Sequence, residues 1–443
     1  MMRKHLARLW KKCFVAGAIA ALVAGMGSTV PSAFAGGMIK ADEDKWISIG
    51  MGIRTSFNSI EGASPAGHYT NDFTINNARI YVNGQIHKYI KFEFNTDCFN
   101  CAVNGGAGAF LSNPTGVAVG QNFGGNSAIG LLDAIGKFEF NEMVNLWVGR
   151  MLLPSERGEL NGPFYHATFD GFRTPFFPAD ASANFNGVSA LGGGAGLYGR
   201  DNAATFWGKV HPGGTHLLYV VSVSQGLRGG PNTGSSLMYT GRLQWNLLND
   251  EMNPGYYTSG TYYGTAGDIA AIGASVQHQK DGAGNTATGN VSDFTGASID
   301  VLVEKVLPNN MGVFTFNGEF KRHWANYGTG AFANNLGAGV GSSCFCTFNG
   351  HSWTVYGLYL IPQEVGIGRF QPYVRFTSID PRYSAMRQEW ETGVNYVISG
   401  HNARVSAFYR YGDINTKGFA GGYAPSTTGD KVDSFHVALQ LQY

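Results

Sequence analysis

The side chains of this chain that could do chemistry are charges set at alternate positions. Arg54, Arg79, Lys91, Lys137, Arg242, Lys321, Arg375, Arg387, Arg404 and Arg410 each fall on the polar parity of a short segment whose other parity is apolar. Glu93, Asp97, Asp133, Glu139, Asp300, Glu304, Glu319, Glu389 and Glu391 occupy the same faces. The chemistry this supports is electrostatic rather than covalent: a wall of charges lining water admits ions and polar solutes according to its local potential. The two signs nearly cancel, so most of these groups are expected to hydrate the wall and pair across strands. A second group comprises Arg150, Glu156, Arg157, Glu159, Asp170 and Arg173. Arg150 begins one long link and the others lie inside it, where a few neighbouring charges would set the field of a narrow zone.

Covalent and metal chemistry find no comparable pattern. His87, His166, His323 and His351 are scattered without metal-ligand spacing, and the Gly-rich run 191–196 lacks the strand, loop and lysine context that cradles phosphate. A lipid hydrolase would need a Ser and a His with an orienting partner, and none can be assembled. Four cysteines remain after the amino-terminal one: Cys98 and Cys101 in one long link, Cys344 and Cys346 in another. In an oxidising compartment they favour disulfides, with three connectivities open. Cys98 to Cys101 can close locally, whereas Cys344 to Cys346 would be strained, so bridges between the two links are preferred if these approach. A zinc site is the alternative; covalent haem is excluded by its usual signature, because Ala102 and not His follows Cys101. No cofactor is expected.

The elements that must position these charges are strands in which apolar and polar residues alternate, repeated with turns, as on a closed barrel between lipid and lumen. The pattern places them at 46–57, 73–86, 90–97, 128–140, 144–150, 202–210, 216–225, 237–247, 268–279, 294–306, 312–324, 352–361, 370–380, 387–398, 402–412 and 433–443. Links at 87–89, 141–143, 211–215, 307–311, 362–369 and 399–401 are short and are assigned to the periplasm. Links at 58–72, 98–127, 151–201, 280–293, 325–351 and 413–432 are long and external. One link breaks the rhythm: Leu248 to Gly267, with Asn253-Pro254-Gly255, either folds into the periplasm or signals a miscounted strand pair. The last segment sets Phe435, Val437, Leu439, Leu441 and Tyr443 on one face and ends on an aromatic, a layout that resembles the signal read by the outer-membrane barrel-assembly machinery.

The amino terminus carries Arg3, Lys4, Arg8, Lys11 and Lys12, an apolar run from Cys13 to Met26 and the small-residue site Ala33-Phe34-Ala35. That is a cleavable secretory signal over residues 1–35, leaving 36–443 as one barrel domain. Losing five basic residues leaves 26 Lys and Arg against 30 Asp and Glu, so the mature chain is mildly acidic and has no basic balance to attract nucleic acid. No later stretch approaches the ~20 apolar residues of a spanning helix. A secreted β-sandwich or propeller would also alternate, but it would not predict the short-long rhythm of links. The fold expected is therefore an all-β, antiparallel transmembrane barrel of sixteen strands in the bacterial outer membrane; its third external loop resembles in position and length that of general porins, which implies an inward-folded third external loop.

Val148-Gly149-Arg150-Met151-Leu152-Leu153-Pro154 followed by Glu156 resembles the strand-to-loop motif of the phosphate-selective porin O and P family. Asn76-Asn77-Ala78-Arg79-Ile80-Tyr81-Val82-Asn83-Gly84, Phe92-Glu93-Phe94 and Gly393-Val394-Asn395-Tyr396 extend the likeness along most of the chain. The resemblance implies a homotrimer of sixteen-stranded barrels, in contact with outer-membrane lipid, that passes small anions or general solutes. Phosphate-selective members use dense rows of Arg and Lys, whereas the third loop here mixes signs, so the expectation is passive diffusion with weak anion preference. A second class of function is a structural sheath for a periplasmic or surface multihaem cytochrome, which predicts bound haem and a lumen blocked to solutes. An outer-membrane enzyme is the third.

Overall fold

The computed structural model describes residues 37–42, 44–61, 68–99, 128–171, 173–175, 199–226, 235–285, 290–325, 349–382, 386–414 and 431–443. Sixteen strands form a closed antiparallel barrel, each paired with its sequence neighbours. In chain order they are β1 (Trp46–Ile60), β2 (Thr70–His87), β3 (Ile90–Phe99), β4 (Ala128–Glu139), β5 (Asn145–Leu152), β6 (Arg200–Val210), β7 (His216–Ser224) and β8 (Met238–Asn246). The second half comprises β9 (Ile269–Asn285), β10 (Asn290–Val306), β11 (Val313–Ala325), β12 (Gly350–Leu360), β13 (Gly368–Pro381), β14 (Arg387–Ser399), β15 (Ala403–Gly412) and β16 (Val432–Gln442). Closure runs from Ser434↔Ile60 to Gln442↔Gly52. A short strand, Gly37–Lys40, pairs with residues 46–49 of β1 just below the point where Tyr443 ends β16, so the rim of β1 keeps a partner.

Every expected segment corresponds to one strand, and alternation explains why. Exposed Ile299, Val276, Val221 and Leu243 alternate with buried Ser298, Gln277, Ser222 and Arg242. Apolar groups point outward and charges inward, the inverse of a water-soluble protein. The outward apolar belt lies between two sets of exposed aromatics. Tyr89, Phe140, Trp245, Tyr359 and Tyr443 stand at the short-turn end, with Phe73, Tyr239, Trp324, Trp390 and Tyr411 at the long-link end.

Two of the bulges, on β2 and β4, show how parity changes along a strand. On β2, Arg54 opposes Asn77 while Thr55 opposes Ile75, so Asn76 is the extra residue and both Thr74 and Asn77 face inward. On β4 the extra residue is Leu132, which is why Leu131 points out and Asp133 in.

The link 248–267 is not a miscounted strand pair, nor does it fold into the periplasm. It folds back into the lumen. Leu247 N–H donates to Ala270 O (2.8 Å) and Asn249 N–H to Asp268 O (3.2 Å), closing its base like a hairpin. From there it rises to meet the third long link, L3 (153–199), which enters from the opposite end. Their meeting is marked by an apolar cluster inside the barrel that joins wall, L3 and link: Ile135, Trp147, Met151, Leu152, Leu160, Trp207, Leu218, Val220 and Tyr256. Burying one large side chain of this kind stabilises by about 1.5–3 kcal/mol.

Candidate functional site

L3 is held in the lumen by charges of the wall. Helix α1 (Arg157–Asn161) lies at mid-height, and its residues are all buried. Arg157 donates to both oxygens of Glu251 (2.7 Å each), while its backbone N–H reaches Asp300 Oδ2 (3.2 Å). Asp300 in turn accepts from Arg242 Nη1 (2.5 Å) and Nη2 (3.0 Å). Lys321 donates to Glu156 Oε1 (2.6 Å) and lies 3.5 Å from Glu159 Oε1. Burial disfavours the Arg157 cation, but Glu251 and Asp300 more than offset it and hold the guanidinium above its ordinary pKa. Removing either partner of such a buried pair would leave an uncompensated charge.

Beyond α1, L3 crosses to the opposite wall, where the wall donates to its carbonyls. Arg404 Nη1 reaches His166 O (2.9 Å) and Ala167 O (3.1 Å), Asn395 Nδ2 reaches Ala167 O (2.9 Å), and Gln440 Nε2 reaches Phe164 O (2.8 Å). Arg375 Nη1 takes Asp170 O (2.6 Å) and Thr168 Oγ1 (2.8 Å), and Arg54 takes Phe169 O. Burial opposes ionisation of Asp170, yet Arg410, Arg173, Arg375 and Arg54 hold its carboxyl well below the usual range. Arg173, raised by Glu389 against its own burial, pairs with that residue.

These contacts leave a thin partition. Tyr165 is 41% exposed and packs at a tilt against His401 of the 400–402 turn, whereas the Asp170 side chain, 39% exposed, lies at the other end of the same short stretch. Between them the partition is Phe164, Phe169, Arg54 and Arg79. Arg54 sits 4.1 Å over the Phe169 ring and donates to Asn77 Oδ1 (2.7 Å); Arg79 sits 5.3 Å from the Phe164 ring centroid and pairs with Asp97 (2.8 Å). Gly52 makes the close approach possible, since a Cβ there would stand 2.8 Å from Phe164 Cε1. Below the partition, Lys91 keeps 33% and Glu139 20% side-chain exposure as a pair at 2.7 Å. This pair on β3 and β4 therefore reaches water below the partition, whereas inward residues of β8–β12 such as Arg242, Gln277, Asp300, Glu304, Asn317 and Thr354 are buried.

Among these ion pairs Arg54 and Arg404 stand apart. Arg79, Lys91, Lys137, Arg157, Arg173, Arg242, Lys321, Arg375 and Arg410 each meet a carboxylate. Arg54 and Arg404 bond to carbonyl, amide and phenol oxygens instead, so at the level of the partition neither guanidinium is hydrogen-bonded to a carboxylate.

Arg150 needs correction. It pairs with Ala134 and Asn202 on the outward parity that includes exposed Leu146 and Val148, and its Nε donates to Leu132 O (3.1 Å), so it does not line the pore. Its position at the mouth of L3 suggested the lumen, but alternation along β5 turns it out. Sequence reasoning also missed Glu251, which lay in the anomalous link, and Phe164 and Phe169, which carry no charge to draw attention. The length of the link and the aromatics of L3 were the available signals. Cys98 is disulfide-bonded; Cys101, Cys344 and Cys346, like residues 1–35 that the sequence pattern reads as an export signal, lie outside the described residues. Among the described residues no group of three or more His, Cys, Asp or Glu is placed to hold a metal ion.

No protein-family model matches the chain, and no curated protein matches it. Solved structures do. The anion-selective porin from Comamonas acidovorans superposes with a TM-score of 0.51 at 11% identity, over 90% of this chain and 100% of that one. The outer-membrane channel DcaP of Acinetobacter baumannii gives 0.50 at 12% identity, over 93% and 100%. At such identities the likeness is one of fold: this chain has the closed, sixteen-stranded fold of bacterial outer-membrane porins.

Proposed function

We propose that this protein is an outer-membrane porin through which small hydrophilic solutes and ions diffuse passively, with weak preference for anions. The observation that carries the reading is the inverted barrel: an exposed apolar belt between aromatic girdles outside, and charges inside around an inward third loop. In this reading the end bearing Tyr443 is periplasmic, residues 1–35 are removed on export, and the aromatic face of β16 serves the assembly machinery. A homotrimer is the assembly that the sequence resemblance implies. Anion preference is supported by Arg54 and Arg404, while the ion pairs elsewhere argue for a modest field rather than phosphate selectivity. The sheath for a haem protein loses its premise, because residues 153–171 and 248–267 of the chain itself occupy the middle of the lumen.

The test is single-channel recording on purified protein in a planar bilayer under a salt gradient. Discrete openings with a small reversal potential of anion-selective sign are expected, from a mature protein whose intact mass begins at Gly36. Absence of conductance, or a haem absorbance band in the purified material, would refute the proposal.

A further inference from the structure

We propose that the link 248–267 is a second, fixed constriction, a strap that closes the β8–β12 side of the lumen from the periplasmic end and confines permeation to the opening beside β1–β4. The inference rests on the porin reading and goes beyond it by naming the segment that sets the size limit. A two- to five-residue turn is enough to join two antiparallel strands, so the extra length of this link is not needed for connection.

The wall is built to receive it. Glu304, a fully buried residue of β10, accepts from Thr261 Oγ1 (2.7 Å), Tyr262 N (3.0 Å), Gly264 N (2.8 Å) and Thr315 Oγ1 (2.9 Å). A buried carboxylate is costly without such donors, and three of the four come from the strap. On the other side the strap supplies Glu251 to Arg157, and Glu251 also accepts from Gln244 Nε2 (2.8 Å) and Tyr262 Oη (2.5 Å). Its contacts to L3 are direct. Gly260 N donates to Tyr165 O (2.9 Å) and Thr258 Oγ1 to Arg157 O (2.9 Å), while Tyr256 Oη donates to Leu152 O (2.5 Å) at the end of β5, where L3 begins.

Two glycines show how tight the seat is. Gly255, at φ +59°, would place a Cβ 2.3 Å from Trp147 Cη2; a Cβ on Gly260 would stand 2.6 Å from the Ala167 backbone nitrogen. Neither position has room for a side chain. The strap's buried Glu251, Thr258, Thr261 and Tyr262 thus find their partners in the wall, in L3 and in one another. It supports L3 from below and removes the far half of the bore from permeation.

The experiment compares wild type with a strap-less chain in which residues 250–266 are replaced by Gly-Asn-Gly, both refolded and checked for heat-modifiable mobility and β-sheet circular dichroism. A several-fold rise in single-channel conductance, with entry of a trisaccharide excluded by wild type in liposome swelling, is expected. Equal conductance and equal size limit in both would overturn the strap proposal alone. Conductance by the strap-less chain with none from wild type would overturn the porin reading while confirming the strap as the closing element; none from either would overturn both. Should the strap-less chain not fold, the double variant Thr261→Cys, Thr315→Cys serves, since the two hydroxyl oxygens are 3.4 Å apart. Cross-linking a fixed strap leaves conductance unchanged between oxidised and reduced protein. A reversible fall on oxidation would show a moving gate and refute the fixed constriction.

Discussion

Neutralising Arg54 or Arg404 should move the channel's selectivity toward cations, whereas neutralising Arg150 should not. Arg54 is nearly buried and Arg404 fully so, and both bond to oxygens that carry no formal charge. Take an ion that crosses the partition about 7 Å from such a guanidinium. There a unit charge contributes about 0.6 kcal/mol at the dielectric of water and about 2.4 kcal/mol at an effective dielectric of about 20. Water reaches the partition from both sides, so the lower figure is the safer one, and each loss should cut anion occupancy about threefold. The assay is the reversal potential across a planar bilayer under a potassium chloride gradient, kept near 0.1 M where the screening length is about 10 Å. Because the same potential repels cations, Arg54→Gln and Arg404→Gln should each lower the anion-to-cation permeability ratio by about the square of that factor, roughly eightfold. Arg54→Lys keeps the charge while loosening the bond to Phe169 O, so it should keep the ratio even if conductance rises. An unchanged ratio in both Gln variants, or an equal shift in Arg150→Gln, would refute the assignment of the field to these two residues.

Three further outcomes follow from the same geometry. Ile299→Arg, on the outward face of β10, should cost about 2–4 kcal/mol in refolding equilibria with lipid vesicles, against little for Ile299→Leu; equal tolerance would reject the strand's assignment to lipid. Alkylation of unreduced protein should leave Cys98 unlabelled, and mass spectrometry after reduction should recover the label. Burial beside Arg404 lowers part-buried His401 from its ordinary value to about 3. The folded state then resists protonation that the unfolded chain accepts near 6.5, so this group's contribution to stability is full above about pH 6.5 and falls as pH drops toward 3. Urea unfolding at pH 7 and pH 4 should show a smaller difference in His401→Gln than in wild type.

The strand count, the face each residue takes and the position of the inward loop were legible in the sequence, because alternation is a local property with a period of two and lipid enforces it on every strand. Where a bulge intervenes, as at Asn76 or Leu132, the face changes with only a one-residue slip to announce it. Arg150 was misplaced because its position beside a loop motif outweighed the parity of its own strand. The partners of the lumen charges were not legible. Arg173 meets Glu389 and Arg157 meets Glu251 across 216 and 94 residues of chain. Such pairs exist only once closure brings distant strands around one bore. The same holds for the link 248–267: its composition permits a surface loop, and its course is decided by a wall that offers Glu304 and Asn317 and by L3, which offers Arg157. Local pattern therefore determined the barrel, while what fills it, and so which side can conduct, was decided by polar groups that must find partners in a shared interior.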